Sequence, residues 1–294
     1  MKWLIFGSGG QLATALEEVL TESHQSVYSF TKAQADITSF EMILKITEGI
    51  NPDFVVNTAA FTKVDLAETE KITNQNVNSY GAINVAKVAK KCKSILFQIS
   101  TDYVFSGESD VPWQEDSKTD PKTEYGRSKV MAEKEILKLY PDKTYIIRTS
   151  WLYSPWGKNF VKTMIWKSLD SEKNIEVVCD QFGQPTNADE LASKILEFAN
   201  VKPRFGIYHC TNSGQTSWFD FAQAIFEEMG KNPEKIVPIK YSTLKLAANR
   251  PEYSVLGHTS LKRENIKEMK HWKLALQESF PKILLQMEKE SLLK

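Results

Sequence analysis

The sequence predicts an α/β protein, a doubly wound parallel sheet followed by a smaller C-terminal α/β lobe. Three observations carry that prediction. Short apolar runs rich in β-branched residues alternate with longer runs of helical period through the first half of the chain. The first apolar run ends in a glycine loop that opens directly into a helical run. After Ser150 the alternation loosens, and a long stretch from Tyr241 to Thr259 has no period of its own.

Taken in order, Lys2–Phe6 is a buried first strand, because Trp3-Leu4-Ile5-Phe6 is continuously apolar and is cut off at once by glycines. Ser26–Phe30, Phe54–Asn57, Ser94–Ile99 and Thr144–Arg148 follow as strands. Gln11–Leu20, Phe40–Thr47, Asn78–Lys90 and Pro121–Leu139 are the helices between them, the last with Asp120 as N-cap and Pro121 in its first turn. Beyond Ser150, Asn159–Leu169, Asp189–Phe198 and Trp218–Met229 read as helices. Ile175–Cys179, Ile207–Cys210 and Ile236–Ile239 read as extended, and His271–Leu285 as a terminal amphipathic helix. The expected division is a nucleotide-binding domain over 1–150, completed by parts of 181–210, with 151–294 mainly a substrate-binding lobe.

With 294 residues, 41% hydrophobic and 25% charged, the chain can bury a core without staples. Lys plus Arg equals Asp plus Glu at 37 each, so no global field points to nucleic acid or to an acidic membrane. Cys92, Cys179 and Cys210 are scattered and odd in number, which argues against a disulfide framework or a zinc site and favours a reducing cytoplasm. The apolar N-terminus is too short for a signal peptide or a membrane span.

Gly7-Ser8-Gly9-Gly10-Gln11-Leu12-Ala13 spaces Gly7, Gly10 and Ala13 as G-x-x-G-x-x-A between strand and helix, the setting of a Rossmann-type dinucleotide loop. Gly7 permits the turn, Gly10 lets backbone approach a pyrophosphate, and Gln11 and Leu12 begin the helix whose N–H groups face the anion. An acid that would bind a ribose is missing after the second strand. Thr31 and Lys32 stand there instead, and a hydroxyl with an ammonium suits a 2′-phosphate, so NADPH is the expected cofactor, with NADH as the alternative. Asp36, followed by Ile37, either contacts the adenine or caps the helix that begins near Phe40.

Tyr125 and Lys129 are an i,i+4 pair that shares one helix face. A phenol is a poor acid near neutral pH, and an ammonium one turn away is expected to lower its pKa. The spacing alone is common on solvated helices. What surrounds it decides.

Asn57-Thr58-Ala59-Ala60-Phe61-Thr62-Lys63-Val64-Asp65 follows the third strand, and Ser100-Thr101-Asp102-Tyr103-Val104-Phe105-Ser106-Gly107 the fourth. Then come Tyr125-Gly126-Arg127-Ser128-Lys129, Arg148-Thr149-Ser150-Trp151-Leu152-Tyr153, Asn159-Phe160, Asp180-Gln181-Phe182-Gly183-Gln184-Pro185-Thr186 and Arg250-Pro251. In this order, across nearly the whole chain, the blocks resemble the extended short-chain dehydrogenase/reductase family, in particular its reductases of sugar nucleotides.

The resemblance implies reduction of the C4 ketone of a nucleotide-linked 4-keto-6-deoxyhexose, most directly dTDP-4-dehydro-L-rhamnose to dTDP-L-rhamnose for polysaccharide synthesis. It makes Tyr125 the general acid, Lys129 its electrostatic partner and ribose ligand, and Thr101 a hydrogen-bonding group on the carbonyl oxygen. Asn57, Ala59, Ala60 and Asn78 would line the cofactor trough, although Asn78 is equally read as a helix cap. Asp102, Tyr103, Trp151, Asn159, Gln181 and Arg250 would meet the substrate. Against those roles, an isolated Trp is more often core, an Arg more often a surface ion pair, and Gln181, Phe182 and Pro185 alternatively shape a hinge.

Two other readings stand beside this one. A sugar-nucleotide epimerase or dehydratase uses the same fold, but such dehydratases follow Thr-Asp with Glu where this chain has Tyr103. A non-catalytic NADP-binding subunit, similar to the β subunit of methionine adenosyltransferase, would keep much of the Tyr and Lys pattern. This chain departs from the family in having Gly257 after Leu256, and the insert 107–120 has no assigned role. Relatives form metal-bridged dimers. A homodimer is therefore expected as possible here, while no metal ligands can be placed by motif.

Overall fold

The structure is a computed structural model that describes residues 1–169 and 173–292. Its centre is a six-stranded sheet made of β1 (Lys2–Phe6), β2 (Ser26–Phe30), β3 (Phe54–Asn57), β4 (Ile95–Thr101), β5 (Thr144–Thr149) and β7 (Gly206–His209). The order is β7-β5-β4-β3-β1-β2, and every pairing is parallel. From β1 the chain goes to one side for β2 and to the other for β3, so the order reverses there. In such sheets the ligand crevice opens beyond the carboxyl ends of the strands at that reversal.

Side chains alternate across the strands, and both faces are covered, which is why these segments read as continuous apolar runs. Trp3, Ile5, Phe54, Val56, Phe97, Tyr145 and Ile147 face α1 (Gln11–Glu22) and α6 (Ala188–Val201). Leu4, Phe6, Val55, Leu96 and Ile146 face α2 (Phe40–Ile50), α3 (Ala82–Lys91) and α4 (Glu124–Leu139). A third apolar cluster forms among α5 (Phe160–Leu169), α7 (Trp218–Glu228) and α8 (Trp272–Leu292), where Val161, Ile165, Phe221, Ile225, Leu276 and Ile283 meet. There β6 (Ile175–Val178) pairs in parallel with β8 (Ile236–Ile239). Strand β7 and helix α6, both late in the sequence, lie on the first sheet.

Several local expectations are corrected. Helix α4 is capped by Thr123, whose hydroxyl accepts the Gly126 N–H at 3.0 Å. Asp120 does not cap it; its carboxylate takes the Lys122 ammonium at 2.9 Å instead. The third predicted helix does not begin at Asn78, because the backbone is already helical over Lys71–Gln75 and passes through a π turn, Asn76–Gly81, into α3. Before α8, Met269–His271 is a short strand and not the helix start. Among the described residues no helix is long and apolar enough to cross a membrane.

The two stretches without a sequence rationale turn out to be partners. Trp113 donates its N–H to Val255 O at 2.9 Å and accepts from Gly257 N–H at 2.7 Å, while its indole donates to Tyr253 O at 3.0 Å. Gly107 has φ +85°, and a Cβ there would lie 2.5 Å from Pro251 Cα, so the contact between the stretches requires glycine. The insert 107–120 and the segment 241–259 are thus a hydrogen-bonded pair, a relationship no local pattern encodes.

Candidate active site

A cleft of about 610 Å³ opens over the carboxyl ends of β1, β3, β4 and β5. At one end lies the glycine loop. Gly7 has φ +101°, and a Cβ there would meet Ala59 N and Thr58 Oγ1 at 2.7 Å. Only glycine lets the first and third strand ends come this close. Gly10 is the N-cap of α1 and supplies no side-chain acceptor, so the first-turn N–H groups are left for a ligand in the cleft. Gln11 and Leu12 also line it. The Gln11 amide oxygen accepts from Ser154 Oγ and Asn159 Nδ2, each at 3.0 Å, which ties this end to the C-terminal half.

Lys32, Asp36 and Ile37 form the wall beyond the loop. Asp36 does not cap α2, whose N-cap is Ser39; its Oδ1 accepts from the Thr38 N–H at 2.9 Å and hydroxyl at 2.8 Å. Thr31 turns aside, with its hydroxyl donating to Gln34 Oε1 at 2.9 Å. Ala59 and Ala60 line the opposite wall, whereas Asn57 and Asn78 lie behind it. Asn57 accepts from the Ala59 N–H at 3.2 Å and donates to Gln98 at 2.8 Å. Asn78, in the π turn, grips both backbone groups of Phe61, at 2.8 and 3.0 Å. It neither caps a helix nor faces the cleft. Both asparagines shape the trough by holding backbone.

At the other end, Thr101, Asp102, Tyr103, Tyr125, Lys129 and Trp151 come together. The Tyr103 and Tyr125 rings meet edge to face at 5.7 Å. That approach depends on Gly126, where a Cβ would lie 2.2 Å from Tyr103 O, so the glycine inside the Tyr-Gly-x-x-Lys block lets α4 dock on the turn after β4. Lys129 is buried, and its ammonium donates to Ile99 O at 2.6 Å. Burial brings it down to about 8, with Glu133 opposing.

The expectation that Lys129 lowers the phenol pKa is overturned for this form of the protein. Burial pushes Tyr125 up to about 12, with the Thr101 hydroxyl opposing and the Asp102 carboxylate adding to the rise. Tyr125 is a held proton, not a partly ionised phenol.

Behind these groups lies a buried ion pair. Arg148 donates to Glu133 from Nε at 3.0 Å and from Nη2 at 2.7 Å, and Glu133 also accepts from the Ser100 hydroxyl. The pair joins β5 to α4 about one helical turn along from Lys129.

Other predicted substrate residues lie off the cleft. Arg250 is held by Asp65, Asn159 by Gln11 and Ser154, and Gln181 is buried with its amide nitrogen unpartnered. Trp151 sits at φ +46° and stacks on Trp218 at 3.6 Å, with Gly183 beneath the indole leaving no room for a Cβ. It belongs to core and cleft at once. Sequence reasoning missed Thr149, which pairs in register with Thr101 on the neighbouring strand, lines the cleft and has an unpartnered hydroxyl. Its signal was available in Arg-Thr-Ser-Trp at the end of β5.

A parallel sheet with a glycine loop at its reversal, and Thr, Tyr and Lys at the same carboxyl edge, defines a nicotinamide-dependent oxidoreductase of the short-chain dehydrogenase/reductase type. The chain belongs to the RmlD substrate binding domain family, whose model matches residues 1–284. It is 38% identical over 285 residues to a dTDP-4-dehydrorhamnose reductase of Streptomyces griseus, covering 95% of this chain and 93% of that one. It is likewise 38% identical over 277 residues to the spore coat polysaccharide biosynthesis protein SpsK of Bacillus subtilis, covering 94% and 96%. A crystal structure of dTDP-4-dehydrorhamnose reductase from Bacillus anthracis in complex with NADP superposes with a TM-score of 0.92 at 35% identity, covering 96% and 99%.

Proposed function

We propose that this chain reduces the C4 ketone of a dTDP-linked 4-keto-6-deoxyhexose with NADPH, dTDP-4-dehydro-L-rhamnose being the substrate that its relatives' names favour. One observation carries the reading: the glycine cradle and the Thr101, Tyr125 and Lys129 set open onto a single cleft.

The cradle fits the cofactor. A Cβ at Gly7 would fill the space against Ala59, the α1 N-terminus leaves donors for a diphosphate, and Lys32 adds a cation where a 2′-phosphate would lie. When bound, NADPH supplies the hydride. Tyr125 then gives its phenolic proton to the C4 oxygen as negative charge develops there, and Thr101 holds that oxygen's surroundings in place. A phenol kept near 12 stays protonated through the neutral range, as an acid for each reduction must. Lys129, fixed on Ile99 O, stands at the same end of the cleft, where its ammonium would hold the ribose of the bound cofactor. Trp151, backed by Trp218, offers a rigid apolar wall for the sugar.

A cytoplasmic location belongs to this proposal and is supported by three free cysteines. So does a homodimer, which rests on the family resemblance alone.

The test is NADPH oxidation with dTDP- and UDP-linked 4-keto-6-deoxyhexoses, followed by assignment of the product's C4 configuration. Stoichiometric NADPH loss with a C4 alcohol supports the reductase. Conversion without net NADPH loss identifies an epimerase, and no conversion combined with tight binding to a partner protein identifies a regulatory subunit.

A further inference from the structure

Asp102 is 2% exposed yet lines the cleft. Its Oδ1 accepts the Thr101 hydroxyl proton at 2.9 Å, and its Oδ2 has no partner. A hydroxyl has a single proton, so Thr101, which donates to Asp102 and accepts the Tyr103 N–H at 3.3 Å, has no proton left for Tyr125 while Asp102 is ionised. The direction of that contact reverses only if Asp102 carries a proton.

The surroundings shift Asp102 toward that protonated form, which becomes the major one below about 6. The groups acting on Asp102 are the Ser254 hydroxyl from segment 241–259, the Thr101 hydroxyl and nearby backbone N–H groups, and burial outweighs them, pushing the carboxyl up to about 6. Tyr103 and Tyr125 feel its charge, while Arg250 and Tyr241 act on Tyr103 from behind. No cation is among the groups acting on Asp102 itself. A buried carboxylate with one oxygen unpartnered is costly, and protonation relieves the cost.

We propose that Asp102 is the proton store that refills Tyr125 after each reduction, through the Thr101 hydroxyl. The inference rests on the reductase reading. In the first step the Tyr125 O–H bond breaks and the sugar C4 oxygen gains the proton, leaving a phenolate. Thr101 then gives its hydroxyl proton to the phenolate, as the Asp102 O–H bond breaks and that proton passes to Thr101 Oγ1. The products are a neutral Tyr125, a neutral Thr101 and an ionised Asp102. The transfer runs downhill, since the phenol holds a proton more tightly, near 12, than the carboxyl does, near 6. Solvent reloads Asp102 when the cleft empties. In the oxidative direction the ionised Asp102 receives the proton by the same path.

Full-length protein and its Asp102→Asn variant are compared in three measurements. In wild type, difference infrared spectroscopy of the cofactor-free protein is expected to show a protonated-carboxyl band titrating near 6 and absent from Asp102→Asn. In stopped flow with a pH-indicator dye just below that value, solvent proton uptake should lag NADPH oxidation in the first turnover. In Asp102→Asn, the first turnover should survive while steady-state kcat falls about ten- to hundredfold, the loss of one proton-transfer element. The wild-type fall in kcat above about 6 should also vanish in that variant.

A normal pH profile in Asp102→Asn with only KM raised would make Asp102 a sugar ligand and overturn the proposal. So would proton uptake that keeps pace with NADPH oxidation in wild type, an outcome readable even if the variant fails to fold. If wild type itself oxidises no NADPH with any 4-keto sugar nucleotide, it is the reductase reading that has failed.

Discussion

Asp65 receives both terminal nitrogens of Arg250, Nη1 to Oδ1 at 3.0 Å and Nη2 to Oδ2 at 2.5 Å, across 185 positions of sequence. Asp65 also accepts the Ala248 N–H at 3.1 Å, so it latches segment 241–259 to the short helical turn Val64–Ala67 that follows β3. Arg250 lies off the cleft, so replacing it by Ala should act through the latch, loosening segment 241–259 and raising KM for the nucleotide sugar by about tenfold at most, with a smaller change in kcat. Asp65→Asn should raise it less, because the guanidinium is retained. The double variant should fall short of the product of the two, as expected for residues in contact. The Arg250 hydrogen bonds hold the Asp65 carboxyl below its usual range. The stabilisation from the latch is therefore present above the ordinary carboxylate pKa and is lost as pH falls through the lowered one. A latch that opened at higher pH would contradict this.

Gly126→Ala should separate α4 from the turn after β4, since the added methyl would sit 2.2 Å from Tyr103 O. Overpacking of this kind costs about 1–3 kcal/mol. Urea denaturation should show that loss, and kcat should fall with it because Tyr125 moves with the helix. An unchanged midpoint and full activity would show that the interface relaxes freely.

Tyr125→Phe should lower kcat by about two to four orders of magnitude, the worth of a general acid, while NADPH binding measured by fluorescence stays near wild type. Retained turnover would move the acid elsewhere in the cleft. Lys129 is held down near 8 by burial, so it is charged below that value and neutral above it. A second decline in kcat should set in near pH 8, and it should remain in Asp102→Asn.

Lys32→Glu should weaken NADPH relative to NADH, because a carboxylate then stands on the cleft wall where the ammonium was. Kd values for the two cofactors by titration decide it. An unchanged ratio would place recognition of the 2′ group on other residues.

Glu133→Gln should destabilise the protein by about 3–5 kcal/mol, since Arg148, itself 2% exposed, would be left a buried charge without its counterion. Thermal or urea unfolding measures this directly. A loss under about 1 kcal/mol would mean that water or a neighbour compensates the guanidinium.

The sequence by itself determined the sheet, its crossover helices and the outline of the cleft. Strands buried on both faces must be continuously apolar, a glycine turn between strand and helix has few other uses, and the spacing of Tyr125 and Lys129 survives any placement of their helix. What only the tertiary structure decided involves partners far apart in the chain. Asn78 holding Phe61, Arg250 on Asp65, and the pairing of 107–120 with 241–259 all follow from packing between elements, and local patterns carry no signal of it. The same holds for electrostatics. An i,i+4 lysine suggested a phenol made acidic, but desolvation depends on how much protein surrounds the group, and burial in the assembled cleft raised Tyr125 instead.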